Sequence, residues 1–222
     1  MIFSVRKVND VHFCFQSRKI RKGVTFVIEE MKKEKETRIK EEALSSFLEK
    51  GVHQTSIRDI MGRTDYGLGT FYLYFKNKED LVEDIVLDRM TELVTQAEDQ
   101  CQGDSPIERY ISFISYIIDY LIDHPVELDL IFSKLNWALY VKVENNDRFK
   151  AAESTLKFIL SKYDSLLPEK YSEDEKLFSL SLTINIVLTT CKSALMENAV
   201  LDIDNMKTIL FEMVEKIFRT GV

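Results

Sequence analysis

The sequence predicts an all-α protein of about nine helices, with a three-helix helix-turn-helix head followed by a larger helical body. Two observations predict this fold class. The chain contains only 7 Gly and 3 Pro in 222 residues, whereas an architecture of strands and turns normally needs more turn-forming residues. Apolar residues also recur along most of the chain at the spacing that places them on one face of a helix.

Charge is distributed unevenly along the chain. The net charge is −7, but residues 1–80 contain 16 Lys and Arg against 12 Asp and Glu, whereas residues 81–222 contain 14 against 25. A basic first part can approach phosphate groups, while an acidic second part is repelled by them. We therefore expect a head that binds nucleic acid, and chance clustering of charge is the alternative explanation.

The cysteines and the hydropathy predict a cytoplasmic protein without a membrane span. Cys14, Cys101 and Cys191 are far apart and form no CxxC pair, which is typical of free thiols in a reducing compartment. The longest apolar-rich run without charge, Leu177–Cys191, is shorter than the roughly 20 residues that cross a bilayer. We interpret this run as a buried helix.

Residues 1–30 form a basic N-terminal extension whose role the sequence leaves open. It contains two short runs with strand propensity, Val11–Phe15 and Val24–Ile28, for which the rest of the chain offers no partner strand. One hypothesis is that the physiological chain begins at Met31, directly before a helix that starts at Lys33. The other hypothesis is that the extension is a basic arm that adds phosphate contacts.

Residues 31–80 have the pattern of a helix-turn-helix domain. Lys50 and Gly51 mark the end of its first helix, since a basic last turn followed by glycine is a common stop signal. Ser56 and Asp59 have the spacing of a capping box at the start of a short second helix. A tight turn near Asp65 then leads to a third helix, which begins at Leu68 and can protrude into a major groove.

The third helix is predicted to have one buried and one exposed face. Phe71 and Phe75 are four residues apart, so both point into the core of the head. The residues expected to point outward are Leu68, Tyr72, Leu73 and Tyr74.

The string from Gly69 to Leu81, GTFYLYFKNKEDL, resembles the signature of the TetR family of bacterial regulators. The stretch Thr55–Ile60 is similar to the second helix of that family, and the detailed resemblance covers about residues 37–85. The resemblance implies a DNA-binding domain at residues 31–80 and a ligand-binding and dimerisation domain at residues 81–222.

The resemblance also implies roles for individual residues of the head. Leu68, Gly69 and Tyr72 would approach the bases, and Arg58 would contact either a base edge or a phosphate. The residues that would meet the phosphate backbone are Ser56, Thr70, Leu73, Tyr74 and Lys78. Hydroxyl and ammonium groups are suitable donors to phosphate, which agrees with several of these roles.

The sequence departs from the family pattern around the turn. Asp65 stands where the family usually has the glycine of the turn, and Gly67 replaces a common capping serine. Leu68 replaces a residue that is frequently polar. With few hydrogen-bonding side chains facing the groove, sequence reading would depend on Arg58, Tyr72 and the shape of the DNA.

The rest of the chain is predicted to be helical as well. A long fourth helix covers about residues 78–101. The next helix starts after a cap by Asp104 or Ser105, with Pro106 in the first helical position. Five body helices cover about residues 106–124, 125–143, 147–166, 172–198 and 204–219.

The first body helix suggests a ligand pocket. It is apolar almost all round from Ile107 to Ile122, which is typical of a central, buried helix. Aromatic side chains with polar tips can line an apolar pocket and orient an effector, although plain core packing is the alternative for each of them. The candidate lining residues are Phe113, Tyr116, Tyr120, Phe132, Trp137 and Tyr140.

The last two helices carry sustained apolar stripes. Such a helix pair can pack against the same pair of a second copy as a four-helix bundle. The candidate interface residues are Ile184, Val187, Leu188, Leu195, Met206, Ile209, Leu210, Met213, Val214 and Ile217.

Enzyme chemistry has little support in the sequence. His12, His53 and His124 are scattered without metal-ligand spacing, and there is no phosphate loop, HExxH or GxSxG motif. We expect no catalytic residue, metal or cofactor. The predicted function is a homodimeric repressor that binds a double-stranded DNA operator and is released by a small apolar or amphipathic effector. The alternative is a helical interaction or small-molecule-binding protein that has lost DNA binding.

Overall fold

The computed structural model describes residues 6–135 and 150–219, with side chains described from residue 27 onward. Within these ranges the chain forms nine α-helices, one 3-10 turn and no β-strand, which confirms the predicted all-α class. The helices are α1 (Arg6–Lys50), α2 (Ile57–Met61), α3 (Leu68–Tyr74), α4 (Lys78–Gln100), α5 (Pro106–Asp123), α6 (Pro125–Lys134), α7 (Lys150–Tyr163), α8 (Glu173–Ala194) and α9 (Ile203–Arg219). The 3-10 turn covers Asp164–Leu166.

The chain divides into two compact units, Met1–Lys78 and Glu79–Val222. We call the first unit the head and the second unit the body. The division falls at the first residues of α4, near the boundary expected between residues 80 and 81.

The first helix is longer than the sequence pattern indicated. α1 is a single helix of 45 residues that begins at Arg6, so the expected helix start at Lys33 is wrong. Both runs with strand propensity, Val11–Phe15 and Val24–Ile28, lie inside this helix. A helix bonds its backbone groups within one segment, whereas a strand needs a neighbouring strand, and the described residues form none.

The core of the head lies where α2, α3 and the last turns of α1 meet. Phe71 and Phe75 are almost fully buried, as predicted from their spacing. They share this core with apolar residues of α1 and α2, namely Ile39, Ala43, Phe47, Ile60 and Met61. These two buried rings anchor α3 to the core through one of its faces. The opposite face of α3 does not pack against the core.

The connection from α1 to α2 is held by local contacts. Gly51 adopts a left-handed conformation with φ of +79°, and its N–H donates to the carbonyl of Phe47 at 2.9 Å. The positive φ accounts for glycine at this position. Thr55 is buried, and its hydroxyl donates to the Gly51 carbonyl at 2.8 Å, which closes the loop before α2.

In the body, α5 is the central helix. It packs against α6, α8 and α9. Of the two predicted caps, Ser105 is the one that caps this helix, and Pro106 lies in its first turn as predicted. Glu108 completes a capping box with Ser105, which the sequence analysis did not predict. The buried residues of α5 are Tyr110, Phe113, Ile114, Ile117, Ile118 and Leu121.

α8 is the one described helix that is long and apolar enough to cross a membrane by length and composition. A core helix of a protein passes the same test, so one such helix is weak evidence for a membrane span. α8 packs against α5, α6, α7 and α9. One third of its most apolar window is buried in the body, including Leu180, Val187, Leu188 and Cys191, so the predicted buried helix is only partly covered by the described residues.

Candidate functional site

The outward face of α3 is the most distinctive surface of the head. Leu68 is 40% exposed, Tyr72 55% and Leu73 81%, and Gly69 is exposed beside them. Their spacing of one and four residues puts these four residues on one face, opposite the buried Phe71. The structure therefore brings together the three predicted base-approaching residues of α3, and it adds Leu73 to the same face.

Two further predicted residues of α3 are less accessible. Thr70 and Tyr74 are half-buried at the borders of the exposed face. Burial, followed by the nearby charge of Glu36, raises the pKa of the Tyr74 phenol above its usual value.

Ser56 caps α2 as predicted. Its hydroxyl accepts from the N–H of Asp59 at 3.2 Å, and the Asp59 carboxylate accepts from the N–H of Ser56 at 2.8 Å. The Ser56 hydroxyl also donates to this carboxylate at 2.7 Å. These bonds from Ser56, with Lys50 nearby, lower the pKa of Asp59 to about 2. The Ser56 hydroxyl already donates its hydrogen bond to the Asp59 carboxylate. It would have to give up this hydrogen bond before it could donate to a phosphate.

Arg58 and Arg63 have different surroundings, although both are exposed. Arg63 donates to both carboxylate oxygens of Glu49, at 2.6 and 2.7 Å, and to Glu42 at 3.2 Å. Its hydrogen bonds lower the pKa of Glu49. Arg63 therefore joins the segment after α2 to α1, which is a structural role that sequence reasoning missed. Among the described residues, Arg58 has no ion pair, and its guanidinium remains available to a ligand.

Lys78 has partners within the head. Its ammonium donates to the carbonyls of Val52 at 2.8 Å and Thr55 at 2.9 Å. These bonds hold the loop between α1 and α2 against the start of α4. Two of the three ammonium protons are used in this way, so a phosphate contact from Lys78 would use the third.

The head thus presents a short helix with one apolar, outward face and an available arginine on the preceding helix. Residues 39–85 match the model of the bacterial regulatory proteins of the tetR family. The helix-turn-helix head of this chain is therefore of the TetR type.

A curated relative of this chain is the HTH-type transcriptional regulator YuxN of Bacillus subtilis (strain 168). The two are 29% identical over 136 residues, which are 61% of this chain and 45% of the relative. The chain therefore matches less than half of that relative's length.

Solved structures share the fold over most of this chain. A putative TetR-family transcription regulator from Shewanella sp. PV-4 has a TM-score of 0.62 at 16% identity, covering 82% of this chain and 97% of its own. FadR from Bacillus subtilis, solved in complex with stearoyl-CoA, has a TM-score of 0.56 at 20% identity, covering 84% and 98%. At these identities the likeness shows that the fold is shared.

The four predicted pocket residues of the body that the structure describes, Phe113, Tyr116, Tyr120 and Phe132, have different surroundings. Phe113 packs with Tyr110 and Tyr163, whose rings lie 6.1 and 5.7 Å from it between centroids. Phe132 is exposed, and Tyr116 borders an open depression on the surface. Trp137 and Tyr140 lie outside the described residues.

Tyr120 also has a local role. Its hydroxyl donates to Glu127 at 2.9 Å, and its ring stacks on His124 at 4.1 Å between centroids. Burial, followed by the Glu127 hydrogen bond, raises the pKa of Tyr120 to about 12. These contacts join the end of α5 to the start of α6.

Sequence reasoning missed a buried polar contact in the body. The Tyr163 hydroxyl donates to Glu98 at 2.7 Å, and Lys162 forms an ion pair with the same carboxylate. Burial raises the pKa of Tyr163 above its usual value. Glu98 lies on α4 and its partners lie on α7, and no pattern in the sequence relates residues so far apart.

The predicted interface residues of α8 and α9 fall into two sets, which is a correction. Val187, Leu188, Leu210 and Val214 are buried within the body itself, because α8 and α9 pack against each other and against α5. Val187, Leu188 and Val214 therefore have almost no surface left for a second copy, whereas Leu210 also borders the groove between α8 and α9. The remaining predicted residues, Ile184, Leu195, Met206, Ile209, Met213 and Ile217, are half-buried or exposed.

A groove of about 700 Å³ lies between the outer sides of α8 and α9. Met206, Ile209, Met213 and Ile217 line it on α9. Residues that the prediction did not include line it on α8, and many of them are small and hydroxylated, among them Ser179, Thr189, Thr190 and Ser193.

No group of three or more His, Cys, Asp or Glu side chains in the described part of the chain is arranged as a set of metal ligands.

Proposed function

We propose that this chain is a sequence-specific transcriptional repressor that binds its operator as a homodimer and is released by a small apolar or amphipathic effector. The observation that carries the proposal is the outward face of α3. Leu68, Gly69, Tyr72 and Leu73 are exposed on a helix whose other face is anchored by Phe71. The match of this head to the TetR family supports DNA as the ligand of that face.

In the proposed complex, α3 lies in a major groove about 12 Å wide. Tyr72 contacts a base through its hydroxyl or its ring, and Arg58 approaches a base edge or a phosphate from α2. Thr70, Leu73 and Tyr74 border the phosphate backbone, and the third proton of Lys78 faces it. The exposure of Tyr72 and the lack of an ion pair at Arg58 support these contacts.

For the homodimer, we propose that a second copy occupies the groove between α8 and α9. Its small residues on α8 allow a close approach of helices, and its apolar residues on α9 supply the area to bury. Two copies related by a twofold axis would form a four-helix bundle from α8 and α9. The two heads would then bind half-sites about 34–36 Å apart.

The proposed effector is a small apolar or amphipathic molecule. An effector can lower the affinity for DNA only if it binds the DNA-free arrangement of the two heads more tightly than the DNA-bound one. The size of the decrease is set by that difference in effector affinity. A TetR-fold protein of similar architecture, FadR from Bacillus subtilis, was solved with stearoyl-CoA. We therefore choose stearoyl-CoA as the first probe, with free coenzyme A as its matched control. Action on chromosomal DNA would place the protein in the cytoplasm.

The test is binding of the purified full chain to its own upstream promoter duplex, followed by fluorescence anisotropy over a salt series with a competitor duplex. We expect specific binding by two chains per site, with an affinity that falls as salt rises because phosphate contacts release counterions. Tyr72→Ala should weaken this binding, whereas Tyr171→Ala, a tyrosine change in the body, should not. The absence of specific binding at any salt concentration would contradict the proposal and favour the interaction protein.

A further inference from the structure

The exposed face of α3 has an unusual chemical composition for a surface that would read bases. The sequence Leu68–Tyr74 is LGTFYLY and contains no Arg, Lys, Asn or Gln. Those are the side chains that form paired hydrogen bonds with guanine or adenine edges in the major groove. Of the three hydroxyl groups on α3, those of Thr70 and Tyr74 belong to half-buried residues, and only Tyr72 is exposed.

The exposed face of α3 instead presents the aliphatic side chains of Leu68 and Leu73 to a ligand. Leu68 is the first residue of α3, and 40% of it is exposed to solvent. In helix-turn-helix proteins the first residues of this helix are those that contact base edges. The apolar group that a base pair presents in the major groove is the C5-methyl group of thymine.

Gly69 makes a close approach possible. A Cβ built at this position meets no atom within 4 Å, so the packing of the head does not require glycine there. Glycine inside a helix is less favourable than alanine by roughly 0.5–1 kcal/mol. A glycine that the head itself does not need, beside an exposed leucine, is explained by a ligand that comes within van der Waals distance of the helix backbone.

We propose that Leu68 is a specificity-determining residue that selects thymine by packing against its C5-methyl group, with Gly69 allowing the approach. This inference rests on the proposed function, because it specifies what the DNA-binding face reads. It predicts that the operator contains a thymine in each half-site whose methyl group contributes to affinity.

The test replaces single thymines by deoxyuridine, which removes the methyl group and keeps the hydrogen-bonding edge. An operator is first selected from a random duplex library with the full chain, and each thymine is then replaced in both half-sites. We expect one position at which the affinity falls about fourfold per half-site, the ratio that corresponds to ~0.8 kcal/mol for one buried methyl-sized group.

The matched variants are Leu68→Ala and Leu73→Ala, which remove the same atoms from two exposed leucines of α3. Leu68→Ala should bind the thymine and deoxyuridine operators equally well, while Leu73→Ala should keep the full preference for thymine. Gly69→Ala should remain folded and should bind both operators more weakly, which provides a second measurement if Leu68→Ala is poorly behaved.

The possible failures are distinguishable. If no operator is selected in any salt, the proposed function is contradicted, and this inference with it. If an operator is bound specifically but no thymine-to-deoxyuridine change lowers the affinity, only the role of thymine methyl groups is overturned. A third outcome is that one thymine-to-deoxyuridine change lowers the affinity of the original chain and lowers that of Leu68→Ala by the same factor. Another residue would then contact the methyl group, and the assignment to Leu68 would be overturned.

Discussion

α3 in the head and α9 in the body both expose aliphatic side chains, but they do so in different ways. α3 has seven residues, and its exposed leucines flank a glycine and a tyrosine. α9 has 17 residues, and Ile209, Met213 and Ile217 repeat every four residues with about half of each side chain exposed. A regular apolar stripe over several turns can pack along another helix. A short apolar face interrupted by other residues cannot pack in this way and suits a partner other than a helix.

The two parts of the sequence that contain these faces also differ in net charge. The first 80 residues of the chain carry an excess of basic side chains, and the remainder carries an excess of acidic ones. Phosphate is attracted to the first region and repelled by the second. Exposed apolar residues therefore do not identify a partner by themselves. The length of the apolar stripe and the net charge of its part of the sequence are the differences on which we base the proposals of DNA for α3 and of a second copy for α9.

The largest expected effect concerns the buried side of α3. Phe71→Ala should destabilise the head by roughly 3–5 kcal/mol, because it removes a fully buried aromatic ring. Leu73→Ala is the matched control on the exposed side and should change stability by no more than about 0.5 kcal/mol. Chemical denaturation of the full chain, with hydrogen exchange of head peptides, measures both. Equal losses would show that the two sides of α3 are not distinct.

The next effect concerns the exposed stripe of α9. Met213→Glu should convert a dimer into a monomer, because a carboxylate would be buried without a partner in the proposed interface. Thr208→Glu places the same charge at an exposed position outside the groove and should leave the dimer intact. Sedimentation equilibrium distinguishes the two. A Met213→Glu protein that is still dimeric would exclude this stripe as the interface.

Tyr72→Ala should weaken operator binding by about 1–3 kcal/mol if this residue contacts a base. Its ring packs edge-on against Phe71 at 5.3 Å between centroids, so the alanine variant also loses some packing. Tyr72→Phe keeps that packing and removes only the hydroxyl. Anisotropy titrations of both variants separate the contributions of ring and hydroxyl, and unchanged affinity in both would remove Tyr72 from the DNA-binding face.

Lys78→Met should lower the stability of the head by about 1–3 kcal/mol, because two carbonyls lose a charged hydrogen-bond donor. If Lys78 acted mainly on phosphate, the stability would be unchanged and only the salt dependence of DNA binding would fall. Thermal unfolding of the full chain without DNA decides between these outcomes.

The smallest effects distinguish the two exposed arginines. Arg58→Ala should reduce the slope of log affinity against log salt by about 1 if its contact is to phosphate. Arg63→Ala should leave the slope unchanged and slightly lower the melting temperature at low salt, since its exposed ion pairs to α1 are screened by salt. The reverse pattern would mean that the roles of the two residues are exchanged.

Local features of this protein were predictable from the sequence by itself. The capping box at Ser56, the helix cap at Ser105, the left-handed Gly51 and the inward direction of Phe71 and Phe75 all depend on residues within four positions of each other. The all-α class followed in the same way, because helix periodicity and stop signals are local. The recognition of the DNA-binding domain also used one continuous stretch of the chain.

Only the tertiary structure decided which apolar residues of α9 face the core and which face solvent. Leu210 and Val214 are buried, while their neighbours Ile209 and Met213 are half exposed, although the apolar stripe of the helix contains all four. The hydrogen-bond partners of Arg63 and Lys78 also could not be predicted from the sequence, since they lie 14 to 26 residues away along the chain. Periodicity gives the width of an apolar stripe, but which part of it is covered depends on packing against helices that are distant in sequence.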